Sequence, residues 1–497
     1  MAHVIVDGVL REAPLGTLLA ELLPEGHAVE LTCGKRGWCG SCRITASGAL
    51  SPITSEELRH LSPEELTKGI RLACLTRVEG DCTLSTRSNA PIHVQALGVL
   101  PAGALRPRHK HYGIAIDIGT TTLAACLYDA AGTLLGQASS ANPQAPWGAD
   151  VLSRVGQSIN GQAAALGNAI RRGLGDLILQ LCSRNGLNPN QVDALVITGN
   201  TAMLYLLTQA DPTCLSRVPF EADRLFGITL SAAELDLPCP AAEVYLPRCI
   251  SAFVGADITT ALLAAQLCNE ASTRILVDVG TNGEMALWHK GALLCCSTAA
   301  GPAFEGAGLS MGRTARIGTV DHVTIWEGSL NPHIIGDAEP EGICGSGIVD
   351  ALACLLELEQ LDESGLLDDD PCPIAGAVSI TQKDVRMIQL AKSAICAGIR
   401  TLLESAGVSC DTVAELALAG GFGSCLNGEN AGKIGLLPEE LVPVLRVLGN
   451  AALSGAVMLL LDRELAAQAE AMAKDAKTIA LSTNPIFMTN YTEGMFF

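Results

Sequence analysis

Three cysteines, Cys33, Cys39 and Cys42, share one glycine-rich loop, "CGKRGWCGSC", and Cys74 follows after 31 intervening residues. Thiolates are soft metal ligands, and four of them hold a [2Fe–2S] cluster, two on each iron. Gly34, Gly37 and Gly40 let the backbone wrap tightly and turn its N–H groups toward bridging sulfides. Zinc is an alternative, but zinc sites divide their cysteines into two short-spaced pairs, whereas here three sit together and one stands alone. The remaining alternative is a set of unliganded core thiols. Cys82 falls outside the spacing and reads as structural.

A second constellation is made of carboxylates and hydroxyls. "DIGTTT" (117–122) and "DVGTNGE" (278–284) each put an aspartate at a strand end, followed by a tight turn. Gly119 permits the first turn, and Thr120, Thr121 and Thr122 offer donors to phosphate oxygens; Asp117 can hold the water shell of Mg²⁺. Gly280, Thr281, Asn282 and Gly283 repeat the arrangement beside Asp278. One such turn carries little weight, because hairpin tips are rich in Gly and Thr. Two at matching points of a duplicated chain point to a phosphate grip. Glu305, in "STAAGPAFEGAG" (297–308), reads as part of a loop at a cleft mouth. Asp350 is expected to cap "IVDALACLLEL" rather than to contact Mg²⁺. "GENAGKI" lacks the Walker A spacing and its final Ser/Thr, and "GLSMG" lacks the strand that a nucleophile elbow requires.

The elements that must position these residues can be read from hydrophobic period and turn signals. "YGIAIDIGTTTLAACLYDAAGTLL" (112–135) reads strand, turn, strand, turn, strand, and "RILVDVGTNGEMALWHKGALLCC" (274–296) repeats that order. Each is followed by a long helix, "AAALGNAIRRGLGDLILQLC" or "DVRMIQLAKSAICAGIRTLL", and then by a strand ending in glycine. Two similar α/β lobes facing across a cleft are expected, 112–273 and 274–497. Residues 1–98 read as a small β-rich domain: a hairpin from "HVIVDG" and "VLREA", a short helix in "PLGTLLAELL", a strand in "CRITASG" and a helix capped by Ser62. Residues 99–111, with prolines, glycines and a basic end, read as a linker. "GAVMLLL" (455–461) reads as a buried helix.

Composition narrows the function classes. Hydrophobic residues make up 48% of 497 and aromatics only 3%, so the cores are aliphatic. The formal charge of −20 argues against nucleic acid. Residues 1–98 hold 9 Lys/Arg and 11 Asp/Glu, a net of −2, so −18 falls on the rest. No apolar run reaches the roughly 18 residues of a membrane span, and no secretory leader is evident, so a cytoplasmic location is expected. Nineteen cysteines in such a compartment are mostly small hydrophobes.

The cysteine loop resembles vertebrate-type and bacterial [2Fe–2S] ferredoxins with a β-grasp fold. Trp38, Lys35 and Arg36 lie beside the cluster ligands, either as a docking rim or as solvated loop. The paired turns resemble the ASKHA superfamily of actin, hexokinase, Hsp70 and acetate kinase, in which such turns grip ATP from two sides. That resemblance implies that Gly420, Gly421 and Gly423 of "LALAGGFGSCL" pack on adenosine. It also implies that Gly199 and Asn200 of "ITGNTAM" lie near the phosphates. In combination, "CGKRGWCGSC…RLAC", "IDIGTTT", "FVGADITTALLAA", "VDVGTNGE", "AAGPAFEG", "GICGSGIVD" and "AGGFG" resemble the ATP-dependent reductive activators of corrinoid proteins. The resemblance implies one-electron reduction of Co(II) to Co(I) on a partner corrinoid protein, driven by ATP with Mg²⁺ and supplied by a separate electron donor. A homodimer is left open. Some members carry a longer middle region than the roughly 14 residues read here as the connection. Competing readings are a small-molecule kinase with a redox-sensing ferredoxin, a non-catalytic redox scaffold and an activator of a radical dehydratase.

Overall fold

Strand alternation sets the N-terminal architecture. In the computed structural model, which describes residues 2–6, 9–23, 42–58, 61, 66, 67, 69–85, 105–148, 150–269, 271–306 and 308–497, two compact units are present, Met1–Pro91 and Ile92–Phe497. Cys33 and Cys39, with Lys35, Arg36, Trp38 and Ser62, lie outside the described residues.

The first unit is a mixed sheet of β1 (Ala2–Val6), β2 (Val9–Ala13), β3 (Arg43–Leu50), β4 (Ile70–Leu72) and β5 (Val78–Ser85), in the order β2-β1-β5-β3-β4. Ala2, Val4 and Val6 alternate inward against Leu72, Val78 and Leu84. The helix expected in "PLGTLLAELL" is reduced to a single 3-10 turn, Leu19–Glu21. Its amides donate elsewhere, Leu19 N to Thr76 O (3.0 Å) and Ala20 N to Ala73 O (2.8 Å), so the backbone is spent on tertiary contacts. A four-residue helix, α1 (Ser55–Leu58), buries Glu57 against Arg71, with Nε–Oε1 and Nη2–Oε2 both at 2.9 Å. Leu72 N and Thr76 Oγ1 also donate to Glu57 Oε1, which fixes the turn that carries Cys74.

The second unit contains the expected duplication. Its first lobe holds β6 (Tyr112–Ile118), β7 (Thr122–Asp129), β8 (Leu134–Ala141), α2 (Val151–Gln157), α3 (Ala163–Arg184), β9 (Val192–Gly199), α4 (Thr201–Thr208), β10 (Ile228–Ser231), β11 (Glu243–Leu246) and α5 (Ala256–Ala265). The second holds β12 (Thr273–Val279), β13 (Gly283–His289), β14 (Ala292–Thr298), β15 (Thr319–Trp326), β16 (Ser329–Ile334), β17 (Gly342–Ile343), α6 (Gly345–Glu357), β18 (Cys372–Ala375), β19 (Val378–Ile380) and α7 (Gln382–Ala406). It continues through β20 (Val413–Ala419), α8 (Gly428–Lys433), β21 (Leu445–Gly449), α9 (Ala451–Leu461), α10 (Leu465–Asp475), β22 (Lys477–Thr478) and α11 (Pro485–Glu493). The main sheets run β10-β11-β9-β6-β7-β8 and β21-β20-β12-β13-β14-β22. In each, an antiparallel three-strand meander is extended by two parallel strands: β9 on β6 and β11 on β9, then β20 on β12 and β21 on β20.

Helices α5 and α9 pair between the sheets. Gly455 lies so close to α5 that a Cβ there would stand 1.9 Å from Thr260 O. Ala115, Ala124, Ile258, Leu262, Ala417, Ala456 and Leu460 fill this shared layer, and every residue of α9 is buried. The small alanines allow the helices to approach both sheets.

Residues 105–111 do not form a free tether. Arg106 N and Arg108 N donate to Leu461 O and Leu460 O, satisfying carbonyls left open at the C-terminal end of α9. Arg108 stacks 4.0 Å from the Tyr245 ring centroid, and Asp193 accepts from the amides of Lys110 and His111. Composition suggested a linker; unsatisfied helix-end carbonyls gave the segment partners.

Candidate functional site

The two strand-end turns have the same backbone construction. Gly119 N donates to Thr122 O and Gly280 N to Asn282 O, each at 3.0 Å. At Gly119 a Cβ would stand 2.7 Å from Thr122 O, so no larger residue fits. Asn142 braces the first turn, its Nδ2 on Gly119 O at 2.8 Å and its N on Thr121 O at 2.7 Å. Asn200 caps α4 through Met203 N and donates to Thr120 Oγ1 at 3.3 Å, which links "ITGNTAM" to the same turn. Gly199 packs where a Cβ would meet Ile118 O at 2.8 Å.

The two turns meet at one oxygen. Thr121 Oγ1 donates to Glu305 Oε2 at 3.0 Å and Thr281 Oγ1 donates to the same Oε2 at 2.8 Å. Gly420, at φ +96°, brings the end of β20 against Asp278: a Cβ there would stand 2.8 Å from Oδ1 and 2.5 Å from Val279 O. The structure therefore brings together Asp117, Asp278, Thr120, Thr121, Thr281, Gly199, Asn200 and Gly420. Thr122 and Asn282 serve the turns through their carbonyls. Gly283 packs against Thr298 and Ile395, and Gly423 against Leu418; Gly421, exposed in the turn after β20, has open space where a Cβ would stand.

Carboxylates dominate the electrostatics. Desolvation pushes Asp117 up to about 6, against the lowering bond from Asn450 Nδ2 to Oδ2 at 2.9 Å. Asp278 is pushed up to about 7 by burial and then by the fields of Asp117 and Glu305. Two residues absent from the sequence-derived site join them. Asp257, in the first turn of α5, is raised to about 8 by burial and by Asp117 and Asp278. Glu284, at the start of β13, is raised by burial and by Asp257 and Asp278. Like charges confined this closely favour protons or a divalent cation. Among the described residues no group of three or more His, Cys, Asp or Glu is placed to hold a metal ion.

Asp350 is neither a cap nor a cleft ligand. Cys344 occupies the N-cap of α6, while Asp350 is buried within the helix, accepting from Asn430 Nδ2 at 2.7 Å and paired with His322 Nδ1 at 2.9 Å. Asp350 is the sixth residue of α6, too far from its first turn to cap it.

In the first unit, Cys42 Sγ and Cys74 Sγ lie 3.1 Å apart and both are buried. Ala73 N donates to Cys42 O at 2.9 Å, so the two cysteine segments are tied together at the backbone as well. This adjacency fits the iron–sulfur reading: two of the four expected ligands converge from segments 32 positions apart. Cys82 is buried in β5, as expected of a structural residue.

Comparison with known proteins gives consistent matches. The profile described as the 2Fe-2S iron-sulfur cluster binding domain matches residues 4–79, the RACo middle region matches 112–270, and the C-terminal domain of RACo, the ASKHA domain, matches 272–497. A middle region is thus present as the first lobe, which corrects the reading of a short connection in its place. The chain is 36% identical over 419 residues to the corrinoid activation enzyme RamQ of Eubacterium limosum, covering 78% of this chain and 70% of that one. It is 24% identical over 429 residues to the [Co(II) methylated amine-specific corrinoid protein] reductase of Methanosarcina barkeri, covering 77% and 78%. A solved structure titled reductive activator for corrinoid,iron-sulfur protein superposes with a TM-score of 0.73 at 27% identity, over 100% of this chain and 98% of that one. Among the described residues no helix is long and apolar enough to cross a membrane.

Proposed function

This chain belongs to the family of reductive activators of corrinoid proteins, and we propose from that membership that it uses ATP to drive one-electron reduction of Co(II) to Co(I) on a partner corrinoid protein. The observation that carries the reading is the pair of Asp-Gly-Thr turns, from lobes of matching topology, converging on Glu305 Oε2. That grip shares a chain with the buried Cys42 and Cys74 thiols.

Each part of the site has a task. The hydroxyls and amides of Thr120, Thr121, Thr281 and Asn282 hold phosphate oxygens. Asp117 and Asp278 would hold a Mg²⁺ ion through its waters, and the buried Asp257 and Glu284 adjoin them, their carboxyls raised by burial and by the same neighbouring charges. Gly420, Gly421 and Gly423 leave room for the nucleoside, and Gly199 and Asn200 support the first turn. Cys33, Cys39, Cys42 and Cys74 would hold a [2Fe–2S] cluster, which supplies a one-electron store when bound. Residues 1–98 form the electron-carrying unit and 99–111 join it to lobes 112–273 and 274–497. The electron enters from a separate low-potential donor, and the protein works in the cytoplasm.

ATP is needed because reduction of Co(II) is uphill from such a donor. Each ~59 mV of deficit for one electron lowers the transferred fraction tenfold. A nucleotide-driven change of lobe arrangement offsets this by altering how the partner is held. The test is anaerobic mixing of the protein, Co(II) corrinoid protein, Mg-ATP and reductant, followed by the Co(I) absorption band. Formation that requires ATP supports the reading. Co(I) produced equally without nucleotide, or ATP turnover stimulated by sugars and not by the corrinoid protein, defeats it.

A further inference from the structure

Glu305 is an anion placed among donors that suit a larger anion. Its Oε2 accepts from Thr121 Oγ1 and Thr281 Oγ1, one from each lobe, and its Oε1 faces Gly280, where a Cβ would stand 3.9 Å away. On the first-lobe side stands Arg154, whose guanidinium is buried and feels the fields of Asp150 and Glu305. Arg154 Nε donates to Gly148 O at 2.9 Å, and Nη1 faces Met203 Sδ at 3.8 Å, the same sulfur that Asn142 Nδ2 meets at 3.8 Å while Asn142 N donates to Thr121 O, so the guanidinium lies one side chain from the first turn. Two hydroxyls from opposing lobes and a desolvated guanidinium are the surroundings a phosphoryl group takes. The present occupant is poorly suited to them, since Glu305 adds to the repulsion that acts on Asp278.

We propose that Glu305, bridging Thr121 and Thr281 with Arg154 alongside, stands at the terminal-phosphate position of the cleft and yields it to a nucleoside triphosphate. This rests on the reading of the cleft as an ATP site. The turn that carries the carboxylate, Pro302–Glu305, is flanked by Gly301 and Gly306, at φ +78° and +80°. Such residues turn without the strain a side chain would add. Phe304 on the same turn stacks on Phe422 with centroids 4.9 Å apart, so withdrawal of Glu305 is transmitted to the glycine loop after β20. ATP moves the turn because only its terminal phosphate reaches the subsite; AMP leaves Glu305 in place.

The experiment is calorimetric titration of the full chain with a non-hydrolysable ATP analogue and with AMP, each with Mg²⁺, for wild type, Glu305→Ala, Glu305→Gln and Arg154→Gln. Removing the competing charge in Glu305→Ala tightens the analogue by about tenfold and changes AMP less than about twofold. Glu305→Gln gives a smaller gain of the same sign. Arg154→Gln weakens the analogue by about tenfold, again sparing AMP. Weaker analogue binding in either Glu305 variant, or equal shifts for analogue and AMP, overturns the proposal. The Glu305 variants decide the matter if Arg154→Gln does not fold. A wild-type chain that binds neither ligand defeats the ATP reading itself, whereas wild-type binding of the analogue with no dependence on Glu305 defeats only the subsite.

Discussion

Asn450 Nδ2 donates to Asp117 Oδ2 at 2.9 Å, joining residues 333 positions apart. Asn450 is also the N-cap of α9, accepting from Leu453 N at 2.7 Å. One side chain therefore starts the helix that fills the layer between the sheets and orients the carboxylate at the end of β6. Asn450→Ala should lose the cap, about 1 kcal/mol, and release Asp117. The expected outcome is a lower thermal midpoint and several-fold weaker Mg-ATP binding. Asn450→Asp preserves the cap but sets a second charge against Asp117, so its nucleotide affinity should fall further than its stability. Calorimetry on both variants checks the order.

The raised carboxylates predict how stability depends on pH. Asp278 titrates at about 7 in the folded chain against 3.8 when unperturbed, so the folded state holds a proton that the unfolded state has released. That contribution is fully present below pH 3.8 and is lost as pH rises through about 7. The nucleotide-free protein should therefore melt at lower temperature at pH 8 than at pH 5. Asp278→Asn should raise the midpoint most at pH 8, less at pH 5 and hardly at all below pH 3.8, and should abolish ATP turnover. A pH-independent effect on the midpoint would contradict a carboxyl raised by burial and by the neighbouring charges of Asp117 and Glu305. Saturating Mg²⁺ should flatten the wild-type slope.

Cluster retention and nucleotide binding should separate by unit. Cys42→Ser should lose bound iron and all Co(I) formation while ATP affinity stays within about twofold, since the cleft belongs to the other compact unit. Glu57→Gln breaks the buried pair with Arg71, whose side chains are 0% and 9% exposed. Breaking such a pair costs about 3–5 kcal/mol. It should shed iron on mild warming while the second unit melts normally. Iron content and differential scanning calorimetry read both.

Packing between α5 and α9 should tolerate no added carbon. Gly455→Ala would place a methyl 1.9 Å from Thr260 O, forcing the helices apart at a cost of about 3 kcal/mol. Gly156→Ala, on α2 with nothing within 4 Å, should be neutral or slightly stabilising and serves as the control. Equal midpoints for the two variants would show that the helix contact is looser than the structure has it.

Local pattern made much of the protein legible. Strand alternation, helical period and turn chemistry are properties of neighbours in sequence, so the repeated meanders, the long helices at 163–184 and 382–406 and both Asp-Gly-Thr turns could be read from the residues. The spacing of Cys42 and Cys74 belongs to the same class, because a ligand pattern is written along the chain. Tertiary structure alone decided which distant groups share a site. Asp257 opens a helix and Glu284 opens a strand, and neither position marks a carboxylate as part of a cleft. They gather with Asp117 and Asp278 because Gly455 lets α9 lie on α5 and so draws the two sheets together. The same folding removed Asp350 to His322, pinned 105–111 to the end of α9 and set Glu305 between two threonines. Each of these outcomes depends on which buried surfaces meet, and hydrophobic burial is non-directional until side-chain shape selects the fit.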